Sequence, residues 1–158
     1  MNFTIIPGYD HPEALGELFQ EYTDMLVRAA PNFKGYLALQ NYDEELSHLR
    51  EKYEHLYLAL TPTGEAAGCI ALHRLDDARC ELKRLYVRPQ YRKDGLGTIL
   101  TEQLIADAVS GGYQKMLLDT FPFLESAVRL YRRHGFTDAE QYNNNPIPGE
   151  MIFLEKKL

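Results

Sequence analysis

Apolar positions recur along this chain at two different spacings. Phe3-Thr4-Ile5-Ile6 is a short apolar run stopped by Pro7-Gly8 and reads as a strand. Leu15, Leu18, Phe19, Tyr22, Leu26 and Val27 then fall at helical spacing and predict a helix from His11 to about Arg28, with Pro12 suited to its first turn. Ala29 to Asn41 has no period and reads as loop. Leu46, Leu49 and Tyr53 share one face of a second helix, Asp43 to about Glu54, with Asp43 as candidate cap. The pattern next changes to short apolar runs separated by turn residues. Leu56–Leu60 ends at Pro62-Thr63-Gly64, Ala67–Leu75 ends at Asp76-Asp77, and Arg79–Val87 ends at Pro89, three strands in which the last two form a hairpin. Helical spacing returns from Gly95 to Ser110, with Leu96, Ile99, Leu100 and Leu104 inward and Gly111-Gly112 as the stop. Lys115–Thr120 is a buried strand, Phe123–His134 a helix closed by Gly135, and Phe136–Tyr142 and Met151–Glu155 the final strands.

The order is strand, two helices, three strands, helix, strand, helix, two strands. It predicts an α/β chain, in the α+β sense of a mixed sheet: about seven strands, mostly antiparallel with a central parallel pair, and helices on both faces. The helix after Val87 would return the chain to a neighbouring strand as a parallel crossover. Ligands of such sheets sit at the carboxyl ends of strands, and Val87 is at such an end.

Composition narrows the class. The 158 residues are 45% hydrophobic and 25% charged, with no repeat and no Gly/Ser- or Pro-rich linker, so residues 1–158 read as one globular domain. The N-terminus shows no signal-peptide pattern, and no apolar run approaches the roughly 20 residues that cross a bilayer. Cys69 and Cys80 do not form a metal-type pair, and no Cys/His cluster occurs, so no metal is expected. Two isolated cysteines fit a reducing, cytoplasmic setting. The net charge of −6 argues against a general nucleic-acid binder. Residues 74–93 nevertheless hold seven of the 17 basic residues: Arg74, Arg79, Lys83, Arg84, Arg88, Arg92 and Lys93. That patch suits one localised anionic ligand or a merely solvated strand face.

The chemistry concentrates in Leu85-Tyr86-Val87-Arg88-Pro89-Gln90-Tyr91-Arg92-Lys93-Asp94-Gly95-Leu96-Gly97-Thr98. Two glycines at a helix start leave first-turn N–H groups uncovered at the positive end of the helix dipole, an anion site of phosphate size. Arg92 and Lys93 add charge at its rim and Thr98 a hydroxyl. The Lys-Ser/Thr of the nucleoside-triphosphate loop is missing, and so is the third glycine of the dinucleotide fingerprint.

Val87-x-Pro89-x-x-Arg92-x-x-Gly95-x-Gly97 resembles the defining motif of the GNAT acetyltransferase superfamily. A second family-like block follows, Ala127-Val128-Arg129-Leu130-Tyr131-Arg132-Arg133-His134-Gly135-Phe136, and the order of elements matches over essentially the whole chain. Runs such as Cys80–Val87, Leu118-Asp119-Thr120 and Asn145-Pro146-x-x-Gly149 are similar to those of small bacterial members without one agreed substrate. The resemblance implies an N-acetyltransferase with acetyl-CoA as cosubstrate. The backbone of Leu85, Tyr86 and Val87 would pair with the pantetheine arm, and the amides of Arg92, Lys93, Asp94, Gly95, Leu96, Gly97 and Thr98 would take the pyrophosphate. Many members carry Asn where Leu124 stands here, so that contact to the coenzyme arm is missing, and Asp119 and Thr120 are the candidates to compensate. Members often form homodimers through their sheets, but nothing in this sequence marks such an interface.

Two side chains are candidates for proton transfer. Tyr131 matches the family tyrosine near the coenzyme sulfur, where a phenol can protonate a leaving thiolate; its spacing with Ala127, Leu130 and His134 suits a core aromatic equally well. Glu81 matches the glutamate that serves as base in histone-acetylating members. Its bland reading is an exposed strand position or an ion pair with Lys83, which shares its face, or Arg84. His48, His55 and His73 are further candidates, each more simply structural. The acceptor is expected to be an amine, whether a small molecule, a peptide or a protein lysine. Residues 1–60 hold ten acids against four bases, which suits a cationic acceptor or plain solvated helix faces. Tyr22, Phe33 and Tyr36 are candidate lining. The alternatives to an enzyme are a non-catalytic acyl-CoA-binding or sensing module and a nucleotide-phosphate binder.

Overall fold

The computed structural model describes residues 1–33 and 42–158. The candidate Tyr36, and most of the loop expected at 29–41, lie outside them. Among the described residues seven strands form one sheet in the order β1-β2-β3-β4-β5-β7-β6: β1 Thr4–Pro7, β2 His55–Leu60, β3 Ala66–Arg74, β4 Arg79–Val87, β5 Lys115–Thr120, β6 Thr137–Asp138 and β7 Ile152–Lys157. Only β4 and β5 are parallel; the other pairs are antiparallel. The helices are α1 Pro12–Ala29, α2 Tyr42–Ser47, α3 Leu49–Lys52, α4 Leu96–Ser110 and α5 Glu125–Arg133, with short 3-10 turns besides.

Helices cover both faces because the strands are apolar on both. On one face Leu96, Leu100, Leu104 and Ala108 of α4 and Tyr131 of α5 pack on Ile70, Leu72, Cys80, Leu82 and Met116. On the other, Leu15, Leu18 and Phe19 of α1 and Leu49 of α3 pack on Leu56, Leu58, Cys69 and Ala71. This two-sided burial is what the near-continuous apolar run of β3 signals.

The ladder between β3 and β4 slips once. Cys69 faces Tyr86 but Ala71 faces Lys83, so β4 carries an extra residue, and Arg84 sits there at φ 61°. Such a bulge reverses which face later residues point to. Cys80 and Leu82 face α4, and so do Leu85 and Val87, while Tyr86 turns to the α1 face. The bulge is held from three sides. The Cys69 thiol donates to the Arg84 carbonyl at 3.1 Å. The Arg84 guanidinium makes two hydrogen bonds to Glu45, at 2.9 and 2.7 Å, and lies 4.3 Å from the Phe19 ring centroid and 5.1 Å from that of Tyr42. Lys52 Nζ and the buried Tyr53 hydroxyl also donate to Glu45.

Four expectations need correction. Ile99, expected inward on α4, is 44% exposed. The helix expected over Asp43–Glu54 is two pieces broken at His48, and Asp43 lies inside the first of them rather than capping it. The break lets Glu45 and Lys52 reach one another while Tyr53 leaves in extended backbone. The expected strand Phe136–Tyr142 pairs only at Thr137 and Asp138, because residues 139–151 turn away over the sheet end. Helix α5 starts at Glu125 rather than Phe123, with Leu124 in the preceding turn.

Burial by itself would raise the Glu45 carboxyl, but the bonds and charge of Arg84, then Lys52, hold it below the usual 4.5. A depressed acid stabilises the fold above its unfolded value and loses that contribution as pH falls through its folded value. Glu45→Gln leaves the buried Arg84 without its counter-charge and should lower unfolding free energy at pH 7 by about 3 kcal/mol. Urea titrations should show the gap between wild type and variant closing below pH 4.5.

Candidate active site

Strands β4 and β5 hydrogen-bond only over Arg79–Glu81 and Lys115–Leu117. Beyond that point β4 stays with β3 to Val87 and β5 stays with β7 to Thr120, so the two strands part. A cleft of about 1510 Å³ opens between them. Backbone groups of Leu82–Val87 on the β5 side therefore lack a strand partner, an edge on which an extended ligand can add. Leu85, Tyr86 and Val87 all line this cleft.

The glycine loop closes one end. A 3-10 turn over Pro89–Asp94 delivers the chain to Gly95 at φ 75°, a left-handed conformation that glycine adopts without strain. No side chain caps the start of α4, so its leading amides are left for another acceptor. A Cβ on Gly97 would stand 3.3 Å from Leu130 Cδ2, so that glycine lets α4 and α5 approach. Lys93, Gly95, Gly97 and Thr98 line the cleft. Arg92 does too, but its Nε donates to the Val87 carbonyl at 2.9 Å and its guanidinium lies 5.8 Å from the Tyr86 ring centroid, so it braces the loop. Two predicted residues do not line it. Leu96 is fully buried in the core and Asp94 is not part of the lining, so each could bear on the cleft only through its backbone at the helix start.

The basic patch resolves residue by residue. Arg74 pairs with Asp77, Arg79 with Asp76, Arg88 with Glu21 and Arg84 with Glu45. Lys83, Arg84, Arg92 and Lys93 line the cleft. Most of the patch is thus ion-paired scaffold, and a few of its cations serve the cleft.

Tyr131 lines the cleft with its ring 5% exposed and edge-on to Phe136 at 5.8 Å. The core reading holds, and the position in the cleft lining leaves the ring compatible with a role there. Burial, then Tyr22 and Asp119, push its phenol well above 10.0, so it keeps its proton at neutral pH. Glu81, 4% exposed, faces the same cleft at the last residue before the strands part. Lys83 Nζ lies 3.8 Å from its Oε1, and Arg84 is committed to Glu45 instead. Asp119 and Thr120 line the opposite wall.

Three residues of the loop after β6 make contacts in the cleft that the sequence did not signal. The Tyr142 hydroxyl donates to Glu81 Oε2, Asn143 Nδ2 donates to Asp119 Oδ2 at 2.8 Å and reaches Glu81 Oε2 at 3.5 Å, and Asn145 Nδ2 donates to Asp119 Oδ2 at 3.0 Å. In sequence, Asn145-Pro146 stood out only within a run similar to those of small bacterial family members, with no contact implied. The loop's partners are more than twenty positions away.

Other candidates separate clearly. His48 lines the cleft, its Nδ1 3.0 Å from the Glu44 carbonyl. His55 stacks on Tyr57 near Asp107, and His73 Nδ1 meets the Lys52 carbonyl, both away from the cleft. Of the acids at residues 1–60 only Glu44 and Glu45 line it. Tyr22 does as well, and Leu124 lies beside Phe121, Leu26 and Met151 as an apolar wall. Among the described residues no group of acids, histidines and cysteines is placed to hold a metal ion.

The profile of the Acetyltransferase (GNAT) family matches residues 15–136. The chain belongs to the GNAT acetyltransferase family. It is 43% identical over 127 residues to an uncharacterised N-acetyltransferase of Schizosaccharomyces pombe, covering 77% of each protein. An IAA acetyltransferase of Azospirillum brasilense is 27% identical over 141 residues, 85% of this chain and 92% of that one. The fold matches a GNAT acetyltransferase of Staphylococcus aureus at TM-score 0.78 and 20% identity over 99% of both chains. It also matches the PaiA N-acetyltransferase of Thermoplasma acidophilum, crystallised with coenzyme A, at TM-score 0.81 and 17% identity over the full length of both. The chain is thus an N-acetyltransferase of the GNAT family, and among its described residues no helix is long and apolar enough to cross a membrane.

Neither cysteine serves this chemistry. Cys69 and Cys80 are buried, and burial pushes both thiols up to about 12. Native protein at pH 8 should leave both unlabelled by a disulfide reagent over minutes and release two equivalents in denaturant. Fast labelling without denaturant would contradict their placement.

Proposed function

We propose that this GNAT protein transfers the acetyl group of acetyl-CoA to a primary amine by direct attack on the thioester, within a single domain spanning residues 1–158. The parting of β4 and β5 at Glu81 carries this reading, because it joins an open strand edge, an uncapped helix start and two opposed proton-transfer groups in one cleft. The open edge of β4 at Leu85, Tyr86 and Val87 suits the amide-bearing pantetheine arm. The leading amides of α4, around Gly95, Leu96, Gly97 and Thr98, with Lys93 and Arg92 beside them, suit the pyrophosphate. Asp119 and Thr120 border the arm from β5.

Glu81 takes a proton from the attacking ammonium, directly or through one water, and the amine nitrogen bonds to the thioester carbonyl carbon. Free amides on the β4 edge are the available donors to the oxyanion. The C–S bond then breaks, and Tyr131 gives its proton to the departing thiolate, yielding coenzyme A and the N-acetyl product. The nitrogen loses its second proton to solvent as it becomes an amide, Tyr131 recovers a proton from solvent and the proton on Glu81 leaves to solvent, so each turnover releases one proton.

A thermal-shift comparison checks the donor. Acetyl-CoA at a hundredfold excess over its Kd should stabilise the protein by about 2.7 kcal/mol, and ATP at equal concentration should give far less. Equal stabilisation would point to a general nucleotide-phosphate binder. A panel of primary amines, assayed by release of coenzyme thiol, checks the reaction. Glu81→Gln and Tyr131→Phe should each lower kcat roughly 100-fold with acetyl-CoA binding retained. Tight binding without turnover on any amine would favour a sensing module.

A further inference from the structure

The loop between β6 and β7 crosses the end of the sheet where β4 and β5 part, and three of its side chains point into that gap. They meet one carboxylate from each strand. On β4, Glu81 Oε2 accepts the Tyr142 hydroxyl and, at 3.5 Å, Asn143 Nδ2. On β5, Asp119 Oδ2 accepts Asn143 Nδ2 and Asn145 Nδ2 at 2.8 and 3.0 Å. The same Asn143 amide nitrogen thus spans both walls. Further bonds shape the loop itself: Asn143 Oδ1 accepts the Asn145 amide and Asn145 Oδ1 accepts the Ile147 amide. The Tyr142 ring is fixed edge-on to Phe153 of β7 at 6.1 Å.

The two Glu81 oxygens are therefore unlike. Oε2 is anchored, whereas Oε1 makes no hydrogen bond among the described residues and has Lys83 Nζ at 3.8 Å. We propose that Tyr142 and Asn143 are positioning residues for Glu81, clamping Oε2 so that Oε1 is presented to the amine proton. This rests on Glu81 being the base. A carboxylate on a strand at the mouth of a cleft has three rotatable bonds, and an ordered donor on one oxygen removes most of that freedom before substrate arrives. Tyr142 suits the task because it cannot easily lose its proton there. Burial, then the neighbouring Glu81 and Asp119, push its phenol far above 10.0, so it remains a donor across the working pH range.

The groups facing Glu81 are Tyr142 and Asn143 from the loop, Lys83 on its own strand, Asp119 across the gap on β5 and His73 opposite it on β3. Removing the Tyr142 hydroxyl deletes a donor to the ionised carboxylate and makes it easier to protonate. The acid side of the kcat/KM profile should then move to higher pH.

The test uses full-length protein carrying carboxyl-labelled ¹³C-glutamate. The Glu81 resonance is identified by its loss in Glu81→Gln. In Tyr142→Phe its titration midpoint should move to higher pH, because the carboxylate has lost a hydrogen-bond donor. With the fastest amine of the panel, Tyr142→Phe should lower kcat about tenfold at unchanged KM for acetyl-CoA, and Glu81→Gln/Tyr142→Phe should be no slower than Glu81→Gln alone. Asn143→Ala, read by the same midpoint, replaces Tyr142→Phe if that variant fails to fold. An unmoved midpoint, or a Tyr142→Phe effect that persists in full without Glu81, overturns the proposal. A Glu81→Gln enzyme with wild-type turnover overturns the base itself. An inactive Glu81→Gln beside an unaffected Tyr142→Phe overturns the positioning alone.

Discussion

Everything in the cleft depends on β4 and β5 pairing for three residues and then separating. A parallel pair in a sheet covered on both faces normally continues its ladder, because unpaired backbone groups in an interior are costly. Here the ladder is given up after Glu81. The extra residue at Arg84 accompanies that loss. At φ 61° Arg84 sits in the left-handed region where the register shifts, and Glu45, Phe19 and Tyr42 hold its guanidinium. The bulge is thus secured by residues that have no part in the proposed reaction. Strain at a single position is tolerated because the surroundings over-determine it.

The separation also solves a problem of access. Tyr131 belongs to the core on the α4 and α5 face, while Glu81 alternates with Cys80 and Leu82 and so looks to the α1 face. In an unbroken sheet these side chains could not act on one substrate. The gap makes a passage through the sheet, and both line it. The proposed donor would approach from the glycine loop between α4 and α5, and the amine from the side of α1, α2 and the loop after β6. The shared cleft residues bear on both halves: the open edge of β4 and Asp119.

Solved relatives at 17–20% identity keep the whole fold. What must persist for that is modest. The strands need apolar residues on both faces, one glycine must supply the left-handed turn before α4, and another must leave room beneath α5. The lining of the cleft is under no such restriction. Leu124 stands in an apolar group with Leu26, Phe121 and Met151, where an amide would have made a polar wall.

Much of this was legible along the chain. The periodicity of Leu15 to Val27 and of Leu96 to Ser110, and the buried runs of β3 and β5, placed the long elements within a residue or two, because each contains its own repeat. The glycine loop was equally plain, since an uncapped helix start with two glycines is a local arrangement. Short or paired features were not. Helix Asp43–Glu54 broke at His48 because its residues turn to serve Arg84, 39 positions from Glu45. Strand Phe136–Tyr142 shrank because Tyr142 and Asn143 reach Glu81 and Asp119 instead of a ladder partner. By itself the sequence determined the order of elements, the two-faced core and the glycine turn before α4, all products of neighbouring residues. The tertiary structure alone decided that β4 bulges at Arg84, that β4 and β5 part after Glu81, and that a distant loop clamps that carboxylate, because each depends on contacts between segments that no local spacing records.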